Sequence, residues 1–213
     1  PDAWHLLGTI AQQIGDSTTA VELISHAIAL APQNASFHCN LGNALLGLGR
    51  VEDAEASYRQ AISRKADFPL AHFNLGRLLA STGRQNDAAA SFHRAIQLQP
   101  DFADAHYNLS LIHQNQRSWV AAISGYQRTL MLSSDHAEAW NNLGLVLKEQ
   151  GSLSEAVQCY QRAIQVRPAY AEAFNNLGVA YRELRETQRA LECYTRSLQL
   201  KSDHAAAFNN LGN

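Results

Sequence analysis

Residues Ala137–Tyr170 read AEAWNNLGLVLKEQGSLSEAVQCYQRAIQVRPAY, and the same pattern recurs through the chain with a period of 34 residues. Stepping back from Leu143 by whole periods gives further leucines, namely Leu109, Leu75, Leu41 and Leu7. Trp140 lies four periods after Trp4, so no insertion interrupts the pattern between them. A fixed period of this length indicates a tandem repeat architecture. It predicts one array over residues 1–213, with repeats at 1–34, 35–68, 69–102, 103–136, 137–170 and 171–204 and a partial seventh repeat at 205–213.

Each repeat is predicted to form two helices, helix A over about positions 2–14 and helix B over about positions 17–31. Glycine at position 15 is expected to end helix A, because a residue without a Cβ adopts the left-handed conformation at little cost. Proline at position 32 is expected to stop helix B, since proline cannot continue a helix. Glycine at position 8 and alanine at position 20 mark close helix approach. Ser152 and Glu155 predict a capping box at the start of one helix B.

The repeated unit has a bulky residue at position 4, Leu-Gly at positions 7 and 8, alanine at 20 and 27, an aromatic at 24 and proline at 32. This pattern resembles the tetratricopeptide repeat, and the resemblance covers the whole chain. This resemblance implies an all-α, right-handed superhelical solenoid of tandem helix-turn-helix repeats. It also implies that an extended peptide lies along the concave surface formed by the A helices. The chain starts and stops within the repeat frame without a polar capping repeat, so we expect a fragment of a longer protein.

The composition argues against several classes of partner. The net charge is −2 and 17% of residues are charged, which predicts neither nucleic-acid nor membrane binding. No apolar run approaches the roughly 18 residues that a membrane span needs. Cys159 and Cys193 share position 23 on helices expected about 8–10 Å apart, beyond the roughly 7 Å Cα limit for a disulfide. Reduced cysteines are typical of a cytoplasmic protein.

Helix A positions 2, 5, 6, 9, 12 and 13 lie opposite the packed side of the helix and are expected to be exposed. Several of them carry apolar residues, which is typical of an interaction surface. These residues are Leu46, Leu70, Phe73, Tyr107, Leu111, Leu145 and Val179. Three basic residues, Arg77, Lys148 and Arg182, face the same side near several acidic residues, and they either contact a partner or pair with those neighbours.

Position 6 carries asparagine in six repeats: Asn40, Asn74, Asn108, Asn142, Asn176 and Asn210. Only Leu6 breaks this asparagine ladder, and Asn141, Asn175 and Asn209 double it at position 5. Asparagine is about 0.5–0.7 kcal/mol worse than alanine inside a helix, so another role must favour it. The amides either bind the backbone of an extended peptide, bond neighbouring helices, or are an inherited consensus. The ladder resembles that of O-linked N-acetylglucosamine transferases and their bacterial relatives, whose repeats present protein substrates to a glycosyltransferase domain.

Other functions receive less support from the sequence. The lysines with which co-chaperone repeats clamp a C-terminal carboxylate are missing from positions 2 and 5. Histidines at position 4 lie about 10 Å apart from repeat to repeat, too far to share a metal ion, so no metal or cofactor is expected. No catalytic motif predicts an enzyme. The sequence therefore predicts a scaffold that binds a peptide or protein in extended conformation. The alternatives are self-association through end residues such as Phe208 and Leu211, or the substrate-presenting arm of a larger glycosyltransferase.

Overall fold

The computed structural model describes residues 1–212, and the regular structure in this range is helical. The helices are α1 Asp2–Gln13, α2 Ser17–Leu30, α3 Ala35–Gly47, α4 Val51–Arg64, α5 Pro69–Ser81, α6 Gln85–Leu98, α7 Ala103–Asn115, α8 Trp119–Leu132, α9 Ala137–Glu149, α10 Leu153–Val166, α11 Ala171–Glu183, α12 Thr187–Leu200 and α13 Ala205–Gly212. The odd-numbered helices are the predicted A helices and the even-numbered ones are the B helices. From α2 to α12 the predicted ends are correct to within one residue.

The chain divides into two compact units, Pro1–Ala105 and His106–Asn213, called here the N-terminal unit and the C-terminal unit. In the N-terminal unit the helices pack in chain order, from α1 against α2 to α5 against α6, and α1 also contacts α3. In the C-terminal unit the same order runs from α8 to α13, with further contacts between α9 and α11 and between α11 and α13. Each unit is therefore built from tandem helical hairpins, which confirms the predicted all-α fold.

The turn from helix A to helix B is made by one residue in the left-handed region. Gly83 has a φ of 81° and Gly151 a φ of 79°, as position 15 predicted. Arg117 and Arg185 occupy the same position with φ values of 57° and 62°, which costs about 1–2 kcal/mol for a residue with a Cβ. The turn is thus fixed by the packed helices on either side. The predicted capping box is wrong, since Ser152 is the N-cap residue but makes no side-chain cap bond.

In every full hairpin except the fourth, the core forms where the glycine at position 8 meets the large residue at position 24. A Cβ on Gly144 would lie 2.7 Å from Cε1 of Tyr160, and a Cβ on Gly178 would lie 2.5 Å from Cε1 of Tyr194. The alanines at position 20 are fully or almost fully buried, from Ala20 to Ala190. These contacts bear out the prediction that small residues mark close helix approach.

The fourth repeat lacks the glycine at position 8 and compensates on the opposite helix. Ser110 occupies that position, and its hydroxyl donates to the carbonyl of His106 at 2.7 Å. Facing it on α8 is Gly125, where an added Cβ would lie 2.0 Å from Oγ of Ser110. In this repeat the small residue at the helix contact is on helix B instead of helix A, so the two helices still approach closely. The sequence analysis did not predict this exchange.

The three cysteines are free, as predicted for Cys159 and Cys193, with Cys39 and Cys159 buried and Cys193 half-buried. Burial raises the pKa of each thiol to about 11, so all three are neutral at physiological pH. Within residues 1–212, no helix has both the length and the apolar character that crossing a membrane requires.

Candidate peptide-binding surface

The ladder asparagines bond from repeat to repeat through their side chains. In five of them Nδ2 pairs with the position 5 side chain of the preceding repeat, 35 residues earlier in the chain. The pairs are Asn40 with Nε2 of His5 at 2.8 Å, Asn74 with Sγ of Cys39 at 3.6 Å, Asn142 with Oη of Tyr107 at 3.1 Å, Asn176 with Oδ1 of Asn141 at 2.9 Å, and Asn210 with Oδ1 of Asn175 at 3.0 Å. The hypothesis of an internal ladder thus accounts for one amide donor at each of these positions. Asn108 lies half-buried on α7 at the same position.

The acceptors at position 5 differ in chemistry but share a neutral state. Burial lowers the pKa of His5, against a smaller opposing effect of Asp2, so the imidazole is uncharged and has a nitrogen lone pair to offer. Burial raises the pKa of the Cys39 thiol to about 11 and that of the Tyr107 hydroxyl to about 12. The donor is constant while the acceptor varies, which explains why only position 6 shows a strict asparagine row.

The prediction that position 5 is exposed is wrong for most repeats. Asn141 and Asn175 are only 4% and 7% exposed, and Cys39 is buried as well. Phe73 is 7% exposed because its ring packs against Phe92 and Phe102, with centroid distances of 5.8 and 4.6 Å. The helical-wheel argument treated each hairpin alone, whereas neighbouring helices cover this position.

The ladder asparagines keep part of their hydrogen-bonding capacity. An amide carries two N–H donors and a carbonyl oxygen, and the bond to the position 5 side chain uses one donor. In Asn74 the amino group also donates to Asn43. Within residues 1–212, the Oδ1 atoms of Asn40, Asn74 and Asn176 accept no hydrogen bond from the chain. The Oδ1 of Asn142 accepts from Asn141 at 3.3 Å, and that of Asn210 accepts from Arg182 at 3.5 Å.

A cavity of about 520 Å³ opens beside the ladder in the N-terminal unit. We call it the Arg77 cavity, and its lining residues are Gln12, Asn43, Leu46, Tyr58, Leu70, Phe73, Asn74, Arg77, Leu78 and Ser81. The structure thus brings together five residues of the predicted helix A surface, which are Leu46, Leu70, Phe73, Asn74 and Arg77.

Two polar residues of the Arg77 cavity, Asn43 and Tyr58, were missed by the sequence prediction. Oδ1 of Asn43 accepts from Oη of Tyr58 at 2.7 Å and from Nδ2 of Asn74 at 3.1 Å. Asn43 shares position 9 with Arg77, one repeat earlier, and this equivalence was the available signal. The bonds fix Asn43 and Asn74 relative to each other before any ligand arrives.

The three basic residues of the predicted surface differ in their partners. Lys148 pairs with Glu149 at 3.3 Å and with Glu183 at 3.7 Å, as the alternative of internal pairing expected. Arg182 contacts the ladder amide of Asn210. Arg77 is exposed, lies 5.8 Å from the ring centroid of Phe73, and forms no ion pair with any residue in the described part of the chain.

Tyr107 and Leu111 of the predicted surface are only partly exposed. Both pack against a buried cluster of the C-terminal unit that includes Tyr126, Leu143 and Val146. The ring of Tyr107 also lies 4.4 Å from that of His136. These two residues therefore contribute to the core as well as to the surface.

A larger cavity of about 820 Å³ lies among α8, α9 and α10 of the C-terminal unit, and sequence reasoning did not predict it. Its apolar lining includes Leu130, Trp140 and Leu143, and no ladder asparagine lines it. Met131, another lining residue, is 77% exposed. The cavity is also lined by helix B residues such as Gln127, Gln161 and Arg162, to which the sequence analysis assigned no role.

The rings at position 4 bind the loop that follows the preceding helix B. His38 and His72 contact the carbonyl oxygens of Pro32 and Ala66 through Nε2 at 2.9 and 3.0 Å. Nε1 of Trp140 donates to the equivalent carbonyl at 3.0 Å. Among the described residues, no group of three or more histidine, cysteine, aspartate or glutamate side chains is arranged to hold a metal ion.

Family models for the tetratricopeptide repeat match most of the chain. One matches residues 5–67 and 39–92, a second matches 76–116 and 146–184, and a third matches 171–204. Together with the helical hairpins, these matches define the class: the chain belongs to the tetratricopeptide-repeat family. Members of this family generally serve as non-catalytic scaffolds for protein interactions.

Solved structures share this fold at low sequence identity. YrrB, described as a tetratricopeptide-repeat protein with an unusual peptide-binding site, is 24% identical with a TM-score of 0.76, over 91% of this chain and all of that one. PilF of Pseudomonas aeruginosa is 18% identical with a TM-score of 0.88, over 98% and 95% of the two chains. MamA of Desulfovibrio magneticus RS-1 is 19% identical with a TM-score of 0.73, over 81% and 97%. No curated protein matches the chain in a sequence search.

Proposed function

We propose that the chain is a non-catalytic scaffold that binds a peptide or protein segment in extended conformation along its A helices, through the asparagine ladder. The observation that supports this proposal is that the ladder amides use some of their hydrogen-bonding groups within the chain and leave others available to a ligand. One donor of Asn176 bonds to the preceding repeat, while its carbonyl oxygen accepts nothing from residues 1–212. The internal bond orients the amide in advance, so its remaining groups bind a ligand without first losing side-chain freedom.

A repeated amide suits the main chain of a ligand. Each peptide unit offers one N–H and one C=O, and an amide side chain complements both whatever the ligand sequence. The peptide-binding site described for YrrB, which shares the fold, is consistent with this proposal. The substrate-presenting arm of a larger glycosyltransferase, which the ladder's resemblance implies, would use the same chemistry. No metal or cofactor is needed for it.

Main-chain recognition is tested with random peptides displayed on phage. Peptides enriched by the protein are synthesised, and each backbone amide in turn is N-methylated, which removes one donor and leaves every side chain in place. We expect methylation at a few spaced positions to weaken binding about tenfold, because each removes a hydrogen bond to a ladder carbonyl. Alanine at the same positions is the control and is expected to change affinity little. Uniform tolerance of N-methylation would refute main-chain recognition.

Self-association is a second candidate, because α1 exposes an apolar face. Trp4, Leu7 and Ile10 are 44%, 52% and 46% exposed, and Ile14, the C-cap residue of α1, is 77% exposed. Leu143, at the same position as Leu7 in a later repeat, is 4% exposed. Sedimentation measured over a range of protein concentrations separates the two candidates, since a mass that rises with concentration and falls for Leu7→Glu would favour assembly.

A further inference from the structure

The Arg77 cavity presents hydrogen-bond donors and a positive charge without a matching anion. The carbonyl oxygen of Asn43 is taken by Tyr58 and Asn74, while its amino group donates to no residue within 1–212. Arg77 adds a guanidinium, whose planar donors match a carboxylate in bidentate geometry. The free groups of Asn43 and Arg77 therefore complement an anion.

The two helices that supply most of the lining of the cavity, α3 and α5, lack acidic residues, and the acidic residues of α1 and α4 do not line it. Neither α3, reading ASFHCNLGNALLG, nor α5, reading PLAHFNLGRLLAS, contains aspartate or glutamate. Burial raises the pKa of Tyr58, so its hydroxyl is neutral. Arg77 is thus the one charged side chain that lines the cavity in the described part of the chain.

Other arginines of the N-terminal unit show what Arg77 lacks. Arg50 pairs with Asp53 at 2.7 Å, and Arg84 pairs with Asp87 at 2.9 Å. Such exposed pairs satisfy the guanidinium within the chain. The side chain of Asn74 is only 8% exposed, and its carbonyl oxygen lacks a partner in the described residues. The cavity therefore has an unneutralised cation next to a buried acceptor suited to a ligand N–H.

We infer that the Arg77 cavity binds an aspartate or glutamate side chain of the peptide ligand, with Arg77 as its ion-pair partner. The oxygen of Asn74 accepts an adjacent main-chain N–H, and Leu46 and Leu70 pack against a neighbouring apolar side chain. The carboxylate belongs to a side chain rather than a C-terminus because the proposed ligand continues along the A helices. This inference rests on the proposed function and adds a sequence preference to it.

The test compares peptides selected from one phage library by three proteins, each peptide having its C-terminus blocked by fusion to the coat protein. The proteins are the unaltered chain, Arg77→Ala and Arg94→Ala. Arg94 is an exposed arginine of α6 that does not line the cavity, so its replacement makes the same change in net charge. We expect the unaltered protein and Arg94→Ala to enrich peptides with an acidic residue at one position, and Arg77→Ala to lose that preference while still enriching peptides.

Affinities of one selected peptide then measure the contact. We expect Arg77→Ala to weaken binding about tenfold and Arg94→Ala to leave it within about twofold. Replacing the peptide's acidic residue with its amide should also cost about tenfold, but nothing further in Arg77→Ala. Enrichment without an acidic preference, or a preference that survives Arg77→Ala, overturns the inference and leaves the scaffold intact. If the unaltered protein enriches no peptide, the proposed function fails and the inference fails with it.

Discussion

Replacing Asn176 with alanine tests whether the ladder bonds stabilise the repeats. The change removes the bond of 2.9 Å from Nδ2 of Asn176 to Oδ1 of Asn141. The side chain of Asn141 is 4% exposed, so water cannot readily take the place of the lost donor. Asn141 itself donates to Asn142 at 3.3 Å within α9, so the bond from Asn176 joins α11 to a pair of amides on α9.

The expected magnitude follows from two opposing effects. Leaving a buried acceptor without a donor costs about 1–3 kcal/mol. Alanine in place of asparagine regains about 0.5 kcal/mol of helix propensity. Asn176→Ala should therefore lower the free energy of unfolding by about 1–2 kcal/mol. The double variant Asn141→Ala and Asn176→Ala lacks the acceptor as well as the donor. Its loss of unfolding free energy should therefore be about 1 kcal/mol smaller than the sum of the losses in the two single variants.

Hydrogen exchange of α9 and α11 is the appropriate assay, because repeats open locally and a global unfolding curve averages over them. Asn115→Ala is the matched control. Asn115 is exposed at the end of α7 and makes no side-chain hydrogen bond with a described residue, so its replacement should change protection little. The internal ladder contributes nothing to stability if the backbone amides of α9 and α11 are as well protected in Asn176→Ala as in the original sequence. The same conclusion holds if the effects of Asn141→Ala and Asn176→Ala on the unfolding free energy are strictly additive.

Three further predictions concern the fold. Gly144→Ala should lower the free energy of unfolding by about 1–3 kcal/mol, because the new Cβ would lie 2.7 Å from the buried ring of Tyr160; an unchanged melting temperature would contradict it. Hydrogen bonding from Arg59, followed by Arg84, lowers the pKa of Glu55. The ion pairs of Glu55 therefore stabilise the fold above the ordinary pKa of 4.5, and this stabilisation is lost as the pH falls through the folded-state pKa. Glu55→Gln should lower the free energy of unfolding in urea by about 0.5 kcal/mol at neutral pH and leave it unchanged in strong acid. Burial lowers the pKa of His5, so its ring should titrate below 6.5 by NMR and the first repeat should lose stability as the pH falls below 6.5; a midpoint above 6.5 would contradict this.

The sequence predicted the elements of the fold because each depends on a local signal that repeats. The left-handed turn favours glycine, as at Gly83, and the close helix crossing favours glycine, as at Gly144. These requirements recur in every hairpin, so the period makes them visible even where a residue such as Ser110 departs. The period does not reveal a substitution that is compensated within one repeat, as Gly125 compensates for Ser110.

The candidate site was predicted in part, and the errors about exposure at position 5 have one cause. The sequence identified Asn74, Arg77 and the ladder, but it placed Phe73 and Asn141 on an exposed surface. A helical wheel describes one helix, and burial at position 5 comes from neighbouring helices. The choice between a ligand-binding and an internal ladder also depends on side-chain distances, and the two roles prove compatible because an amide has more than one group to offer.

The most direct test of the ligand-binding role follows the side-chain amide resonances of the protein by NMR while a phage-selected peptide is added. We predict that the NH₂ signals of Asn74 and Asn176 shift as the complex forms, since their carbonyl oxygens then accept from the ligand. The signal of Gln161, which lines the larger cavity of the C-terminal unit, should stay in place. Shifts confined to Gln161 and its neighbours, with Asn74 and Asn176 unchanged, would contradict a ligand-binding ladder.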